Sequence, residues 1–278
     1  MTDINRDFFK LDRDKCLKCS QCIHDCAFRA LKANAEGYPE IPHPEACMRC
    51  QHCFAICPAG AIEFDGRNPA DSVEPGAELP SAQAVSNWMR LRRSVRHFTG
   101  GDVPREKLER IFRSLANAPT GCNARALTFT CYPNRAAMEK FKLDFINKLE
   151  TYREGDKILP KWLAVPAIRL RKGLEDVFFR NAPGMVVVSC DETAPGVTTP
   201  KEDVIAACTY FEMIAQAEGL ATCWCGFLDI VKQAVPSVAQ ALGLRESTPF
   251  YAMLFGESAV RYARGVQRDG YAAVKWQD

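Results

Sequence analysis

Apolar residues recur at helical spacing through residues 200–218, where Val204, Ala207, Cys208, Phe211, Ile214 and Ala215 share a face and Gly219 follows as a stop. A second long helix fits Arg135 to Tyr152, with Met138, Phe141, Phe145 and Leu149 three to four positions apart. Shorter helices fit the stretch from Ser81, a capping residue, through Trp88, Met89 and Leu91, and the stretch from Pro104 to Ala116, with proline in its first turn. Strands are expected where apolar or β-branched residues cluster or alternate: Leu127 to Tyr132, Met185 to Val188, Ala221 to Cys225 and Phe250 to Phe255. This interleaving of helices and strands predicts an α+β or α/β sandwich.

The first 65 residues follow another pattern. Cys16-x2-Cys19-x2-Cys22-x3-Cys26 precedes Ala30-Leu31, and Cys47-x2-Cys50-x2-Cys53-x3-Cys57 precedes Ala61-Ile62, an internal repeat with a period of 31 residues. Gly37 to Pro42 reads as a turn with a short extended piece between the two units. From Gly66 to Ser81 proline and acidic residues dominate without periodicity, as in a semi-rigid linker. The expected organisation is one domain over residues 1–65, a linker over 66–84 and a second domain over 85–278.

Composition narrows the class. With 47% hydrophobic and 25% charged residues, the chain has the makings of an ordinary globular core. A formal charge of +2 gives no bulk reason to bind nucleic acid or an anionic membrane. Met1 to Asp7 has no apolar stretch after a charged start, and no run approaches the ~18 apolar residues of a membrane span. A cytoplasmic chain is expected, and there eight of fourteen cysteines crowded into residues 16–57 point to metal rather than to disulfides.

A cubane iron–sulfur cluster needs four converging thiolates. The Cys-x2-Cys-x2-Cys loop supplies three, and in bacterial two-cluster ferredoxins, which this region resembles, the fourth cysteine of each run ligates the other cluster. One [4Fe–4S] cluster is therefore assigned to Cys16, Cys19, Cys22 and Cys57, and a second to Cys26, Cys47, Cys50 and Cys53. The second run ends Cys57-Pro58 as that pattern has it, whereas the first ends Cys26-Ala27. Zinc is the competing occupant of Cys-x2-Cys hooks, but it has no use for a third and fourth cysteine at fixed offsets. His24, His43 and His52 lie among the cysteines and are read as solvated residues.

From Arg92 onward the chain resembles the FMN-dependent nitroreductase family, which implies an α+β fold for residues 85–278. Arg92-Arg93-Ser94-Val95-Arg96 is similar to the family's opening motif, so the resemblance assigns Arg92, Arg93, Ser94 and Arg96 to the FMN phosphate. Guanidinium forks and a hydroxyl donor suit that anion. Ala118-Pro119-Thr120-Gly121-Cys122-Asn123-Ala124-Arg125 resembles the family's flavin-contacting loop, which implies contacts from Pro119, Thr120, Gly121 and Asn123. Arg125 stands where many relatives have glutamine, and meets either the N1–C2=O edge of the flavin or a substrate anion. Asp176 to Pro183 resembles the family's entry into a core strand. Trp224, Cys225 and Gly226 are carried over as neighbours of the ring, and Arg264 and Arg268 fall where relatives return basic residues to the phosphate, with a solvated tail as the alternative. Of the second domain's six cysteines most are read as small buried hydrophobes, with Cys122 and Cys225 on loops facing the flavin.

No Gly-x-Gly-x-x-Gly turn or P-loop is present, so a separate dinucleotide or nucleotide site is not expected. The leading expectation is an oxidoreductase that passes electrons from reduced ferredoxin or NAD(P)H through two clusters to FMN and on to a nitroaromatic, quinone or activated alkene. The competing expectation is a non-catalytic electron carrier serving a protein partner. The resemblance further implies a homodimer with FMN at the subunit interface, and no residue is named as an acid–base catalyst.

Overall fold

The structure is a computed structural model of the chain and describes residues 8–76, 78–151, 159–268 and 272–277. The leader reading on Met1 to Asp7 and the expected helix residue Tyr152 lie outside the described residues. The chain divides into two compact units, Met1–Pro80 with Cys122–Ala124, and Ser81–Gly121 with Arg125–Asp278. Residues 66–80 of the expected linker thus group with the first unit, where Asn68 caps a 3₁₀ turn at Pro69–Asp71.

In the first unit, β1 (Phe9–Leu11) pairs antiparallel with β4 (Ile62–Phe64), and β2 (Lys32–Ala33) with β3 (Pro39–Glu40). Two single-turn helices, α1 (Gln21–His24) and α2 (His52–Ala55), carry the third cysteine of each run. The core is small: Phe8, Leu31, Phe54, Ile62 and Phe64 pack with Cys22 and Cys53. The sequence repeat is also a backbone repeat. Left-handed conformations occur at Lys18 and Arg49, Ser20 and Gln51, and Arg29 and Gly60, each pair 31 residues apart. Each cation of the first pair lies over an aromatic ring, Lys18 on Tyr38 at 4.1 Å and Arg49 on Phe8 at 4.5 Å. Few residues other than glycine adopt positive φ without local support, so equivalent exceptions in both halves mark loops bent to one specification.

The second unit is built on a four-stranded antiparallel sheet, in the order β5 (Leu127–Tyr132), β6 (Gly184–Cys190), β8 (Phe250–Gly256), β7 (Ala221–Trp224). Alternation sorts its side chains between two cores. Met185, Val187, Ala252 and Leu254 face α5 (Arg135–Thr151), α6 (Lys161–Arg171), α8 (Gly226–Ala234) and α9 (Val238–Ala241). Val186, Val188, Met253 and Phe255 face α4 (Arg105–Leu115) and α7 (Pro200–Ala217). Because β6 is buried on both faces along all seven residues, it reads as a continuous apolar run rather than an alternating one. α3 (Ala82–Leu91) opens the unit, capped by Ser81 Oγ accepting the Ala84 N–H at 3.1 Å.

The expected elements are present with shifted ends. Pro104 lies at the N-cap of α4, in extended conformation, rather than in its first turn. β6 is longer than its Met185–Val188 centre, and the strand through Ala221 stops at Trp224. Helix α6 is an addition: it carries Pro166 in its interior, the residue that argues most strongly against a helix locally. No helix among the described residues is long and apolar enough to cross a membrane.

Candidate functional site

The cysteine runs make two recesses. Cys16, Cys19, Cys22 and Cys57 line one, together with Leu11 and Ile62. Cys26, Cys47, Cys50 and Cys53 line another, together with Leu31 and Phe64. Each recess takes three cysteines from one run and the fourth from the other. The reason is local: the left-handed residues at 18, 20, 49 and 51 curl each Cys-x2-Cys-x2-Cys segment around its own recess. The fourth cysteine, beyond the helical turn, has its sulfur fixed by a backbone donor, Ala30 N–H to Cys26 Sγ and Ala61 N–H to Cys57 Sγ, both at 3.3 Å. Among the described residues no three His, Cys, Asp or Glu side chains converge closely enough to hold a single metal ion. The quartets are spread around spaces wider than one ion, and a donor set of four thiolates suits an iron–sulfur cluster.

Burial raises the thiols of Cys22, Cys47 and Cys53. It pushes Cys53 up to about 12, with Cys47 the largest like-charge contribution. Cys22 is raised by burial and then by Cys57, and Cys47 by burial and by Cys50 and Cys26, its companions in the same recess. Metal would therefore displace protons from these sulfurs on binding. His52 pairs with Asp25 (Nδ1 to Oδ2, 3.1 Å) and His43 with Glu45 (3.3 Å), all of them substantially solvent-exposed.

In the second unit the Arg92–Arg96 segment leaves α3 and runs beside β7. Ser94 bridges to Thr222 in parallel, and the Val95 N–H donates to the Thr222 carbonyl at 2.9 Å. The three guanidinium groups are held differently. Arg92 Nη1 donates to Glu212 Oε1 at 3.2 Å. Arg93 donates to the carbonyls of Arg90, at 2.7 Å, and Arg92, and Arg96 makes a long bond to the Ser94 carbonyl, 3.4 Å. Segment 257–266 returns alongside: Thr99 N–H donates to the Glu257 carbonyl and Ala259 N–H to His97 (both 2.9 Å), and Val266 N–H donates to the Arg90 carbonyl at 3.2 Å. Arg264 is thereby brought back to the end of α3. Arg268 is exposed and donates to the Gln267 carbonyl.

The loop after α4 is pinned at Gly121. Its N–H donates to Asp203 Oδ1 at 2.9 Å, which also accepts the Thr199 hydroxyl at 2.9 Å. A Cβ at Gly121 would overlap the Thr199 hydroxyl, so only glycine fits this approach. Pro119 leads into the pinned residue, and Thr120 Oγ1 accepts the Arg125 N–H at 3.0 Å. The Arg125 guanidinium turns back to the Ala116 carbonyl at 3.3 Å. Asn123 belongs to the short stretch grouped with the first unit, where its amide donates to the carbonyls of Met48 and Arg49 at 3.0 and 3.1 Å.

On β7 the Trp224 ring packs edge-on to Tyr251 with centroids 5.3 Å apart, and a Cβ at Gly226 would lie 2.6 Å from the Tyr251 hydroxyl. The Cys225 side chain departs from expectation. It is fully enclosed, with Sγ 3.5 Å from the Phe178 carbonyl, and burial pushes its thiol up to about 12. Cys223 on β7 and Cys225 at the start of α8 both join the core shared with α5 and α8. Cys122 is exposed, and Cys131, Cys190, Cys208 and Cys223 are raised by burial.

The sequence reasoning missed the acids behind these segments. Asp203 and Glu212 are both buried on α7, and Glu212 falls four residues after Cys208 on the very face that apolar residues mark. An acid among core positions was the available signal.

Comparison with known proteins agrees with both halves. A curated ferredoxin of Pyrobaculum islandicum is 27% identical over 85 residues, which cover 31% of this chain and 69% of that protein. Ferredoxin-3 of Nostoc sp. is 32% identical over 65 residues, 17% of this chain and 67% of that one. Among solved structures, a nitroreductase-like family protein from Bacillus cereus has the same fold at 19% identity and a TM-score of 0.50, covering 69% of this chain and 95% of that one. The sequence profile described as the Nitroreductase family matches residues 89–257, more than half of the chain. With that match and a sheet framed by α4, α5 and α7, this chain belongs to the nitroreductase family and carries a ferredoxin-like region ahead of the family domain.

Proposed function

We propose that this chain is an FMN-dependent oxidoreductase that takes electrons from a low-potential donor, reduced ferredoxin or NAD(P)H, through two [4Fe–4S] clusters to FMN and on to a small organic acceptor. The observation that carries the reading is the sorting of eight cysteines into two separate recesses, each completed by the far run, ahead of a nitroreductase-family domain. Two clusters side by side have no structural use that one would not serve, whereas they suit one-electron transfer. FMN, when bound, supplies the conversion between one-electron and two-electron chemistry.

The chain's own residues have distinct tasks. Cys16, Cys19, Cys22 and Cys57 hold one cluster, and Cys26, Cys47, Cys50 and Cys53 the other; the Ala30 and Ala61 N–H groups hold in place the sulfurs they touch. Arg92, Ser94 and Arg96, with Arg264 returning beside them, suit a phosphate monoester. Trp224 and Gly226 lie at the strand end that the family resemblance sets against the ring, and Gly121 keeps its loop close to α7. The working form is a homodimer with FMN at the subunit interface, and the acceptor is a nitroaromatic, a quinone or an activated alkene.

Protein prepared anaerobically is expected to contain about eight iron and eight acid-labile sulfide per chain, together with FMN. Stoichiometric zinc without sulfide contradicts the cluster half of this reading, and protein that cannot take up FMN contradicts the flavin half.

A further inference from the structure

We infer that Glu212, which is not part of the basic motif, is the positioning residue that aims Arg92 at the phosphate of bound FMN; this rests on the flavin reading above. Glu212 is 3% exposed and sits on α7 between Cys208, Phe211 and Ala215, in a layer otherwise apolar. A carboxylate there is tolerated only with charged or hydrogen-bonding partners. It has two, both on Oε1: Arg92 Nη1 at 3.2 Å and the Thr222 hydroxyl at 3.2 Å, the latter also approached by Gln216 Nε2 at 3.4 Å.

Both partners lead to the candidate phosphate site. Thr222 is the β7 residue that pairs with Ser94 and accepts the Val95 N–H, so the same acid braces the strand on which the motif's hydroxyl rests. Among the described residues, Arg92 is the one arginine of the motif's three held by an acid from another element, whereas the bonds of Arg93 and Arg96 go to carbonyls of their own segment. The Arg92 side chain is about one-third exposed, at 36%, so the fork is anchored through Nη1 without being enclosed, and a guanidinium has further N–H donors to offer. Anchoring removes rotamer freedom before the ligand arrives, so less is lost when the phosphate is bound.

Two physical effects of removing the Glu212 charge have opposite signs, and that makes the idea testable. By through-space electrostatics alone, Glu212→Gln removes a negative charge beside Arg92, leaves the site more positive and should tighten FMN binding. By loss of positioning it should weaken binding, and only for ligands that carry the phosphate. The experiment titrates flavin-depleted full-length protein with FMN and with riboflavin, following flavin fluorescence. We expect Glu212→Gln to raise the FMN Kd about fivefold, the effect of releasing one ordered side chain, with the riboflavin Kd unchanged. Arg92→Gln should weaken FMN selectively as well, and the double variant should bind FMN no more weakly than Arg92→Gln alone. Should Glu212→Gln fail to fold by circular dichroism, Glu212→Asp, which keeps the charge and shortens the reach, must show the same FMN-selective loss. Tighter FMN binding, equal losses for both flavins, or additive effects in the double variant overturn the inference. Wild-type protein that binds neither flavin overturns the flavin reading itself, and this inference with it.

Discussion

At the scale of single residues, what surrounds a cysteine decides what it can do. Cys131, Cys208 and Cys225 are each pushed up to about 12 by burial, which keeps them in the unreactive thiol form at mildly alkaline pH. Alkylation of the folded protein should therefore reach exposed Cys122 first and leave these three unlabelled until denaturant is added; peptide mass spectrometry reads the order, and early labelling of Cys225 would contradict its burial. A second expectation concerns the fourth cysteines. Cys57→Ser should damage the cluster held by Cys16, Cys19 and Cys22, and Cys26→Ser the one held by Cys47, Cys50 and Cys53, because the recesses are lined in that way. Electron paramagnetic resonance of the two reduced variants checks this, and damage confined to each residue's own run would contradict it. The two cysteine runs were legible from sequence because the spacing within each is local. Glu212 and Asp203 were not, since each acts on a segment some 80 to 120 residues away.

At the scale of elements, long-range ties decide where loops sit. The turn before β6 holds Arg180 and Asn181 in succession at positive φ, and Asp176 explains how: its two oxygens accept the Phe179 and Asn181 N–H groups at 2.7 and 3.1 Å. Asp176 in turn pairs with Lys142 of α5 at 2.8 Å, both nearly enclosed. Breaking a buried pair leaves an uncompensated charge, so Asp176→Ala should cost about 3–5 kcal/mol in urea unfolding, and adding Lys142→Met should recover much of that. A loss under about 1 kcal/mol, the range of an exposed pair, would contradict the account. Gly121→Ala forces a steric conflict in the loop after α4, where the new methyl meets the Thr199 hydroxyl; a loss of about 1–3 kcal/mol is expected from overpacking, and unchanged stability would contradict the close approach. Periodicity found α5 and α7 because each presents a regular apolar face to the sheet. It missed α6, where tertiary packing of Leu163 and Ala167 overrides the interior Pro166, and the one-turn helices, which are too short to show a period.

At the scale of the whole molecule, two ways of making a core lie on one chain. The first unit has few buried side chains of its own and organises them around cysteines, so it should depend on its clusters for stability. The second rests on a doubly covered sheet and can fold on apolar burial. The abrupt change from cysteine spacing to helix and strand periods made that difference visible in the sequence, while the place of residues 66–80 and 122–124 was not, because it depends on contacts rather than on pattern. The central claim is that electrons reach the flavin by way of the clusters. Stopped-flow mixing of anaerobic, flavin-loaded full-length protein with reduced low-potential ferredoxin tests it, comparing wild type with Cys19→Ser/Cys50→Ser. Flavin reduction should slow by on the order of tenfold or more in the variant, since a donor fixed on the same chain is lost, while dithionite still reduces both flavins fully; equal rates with ferredoxin would contradict the claim.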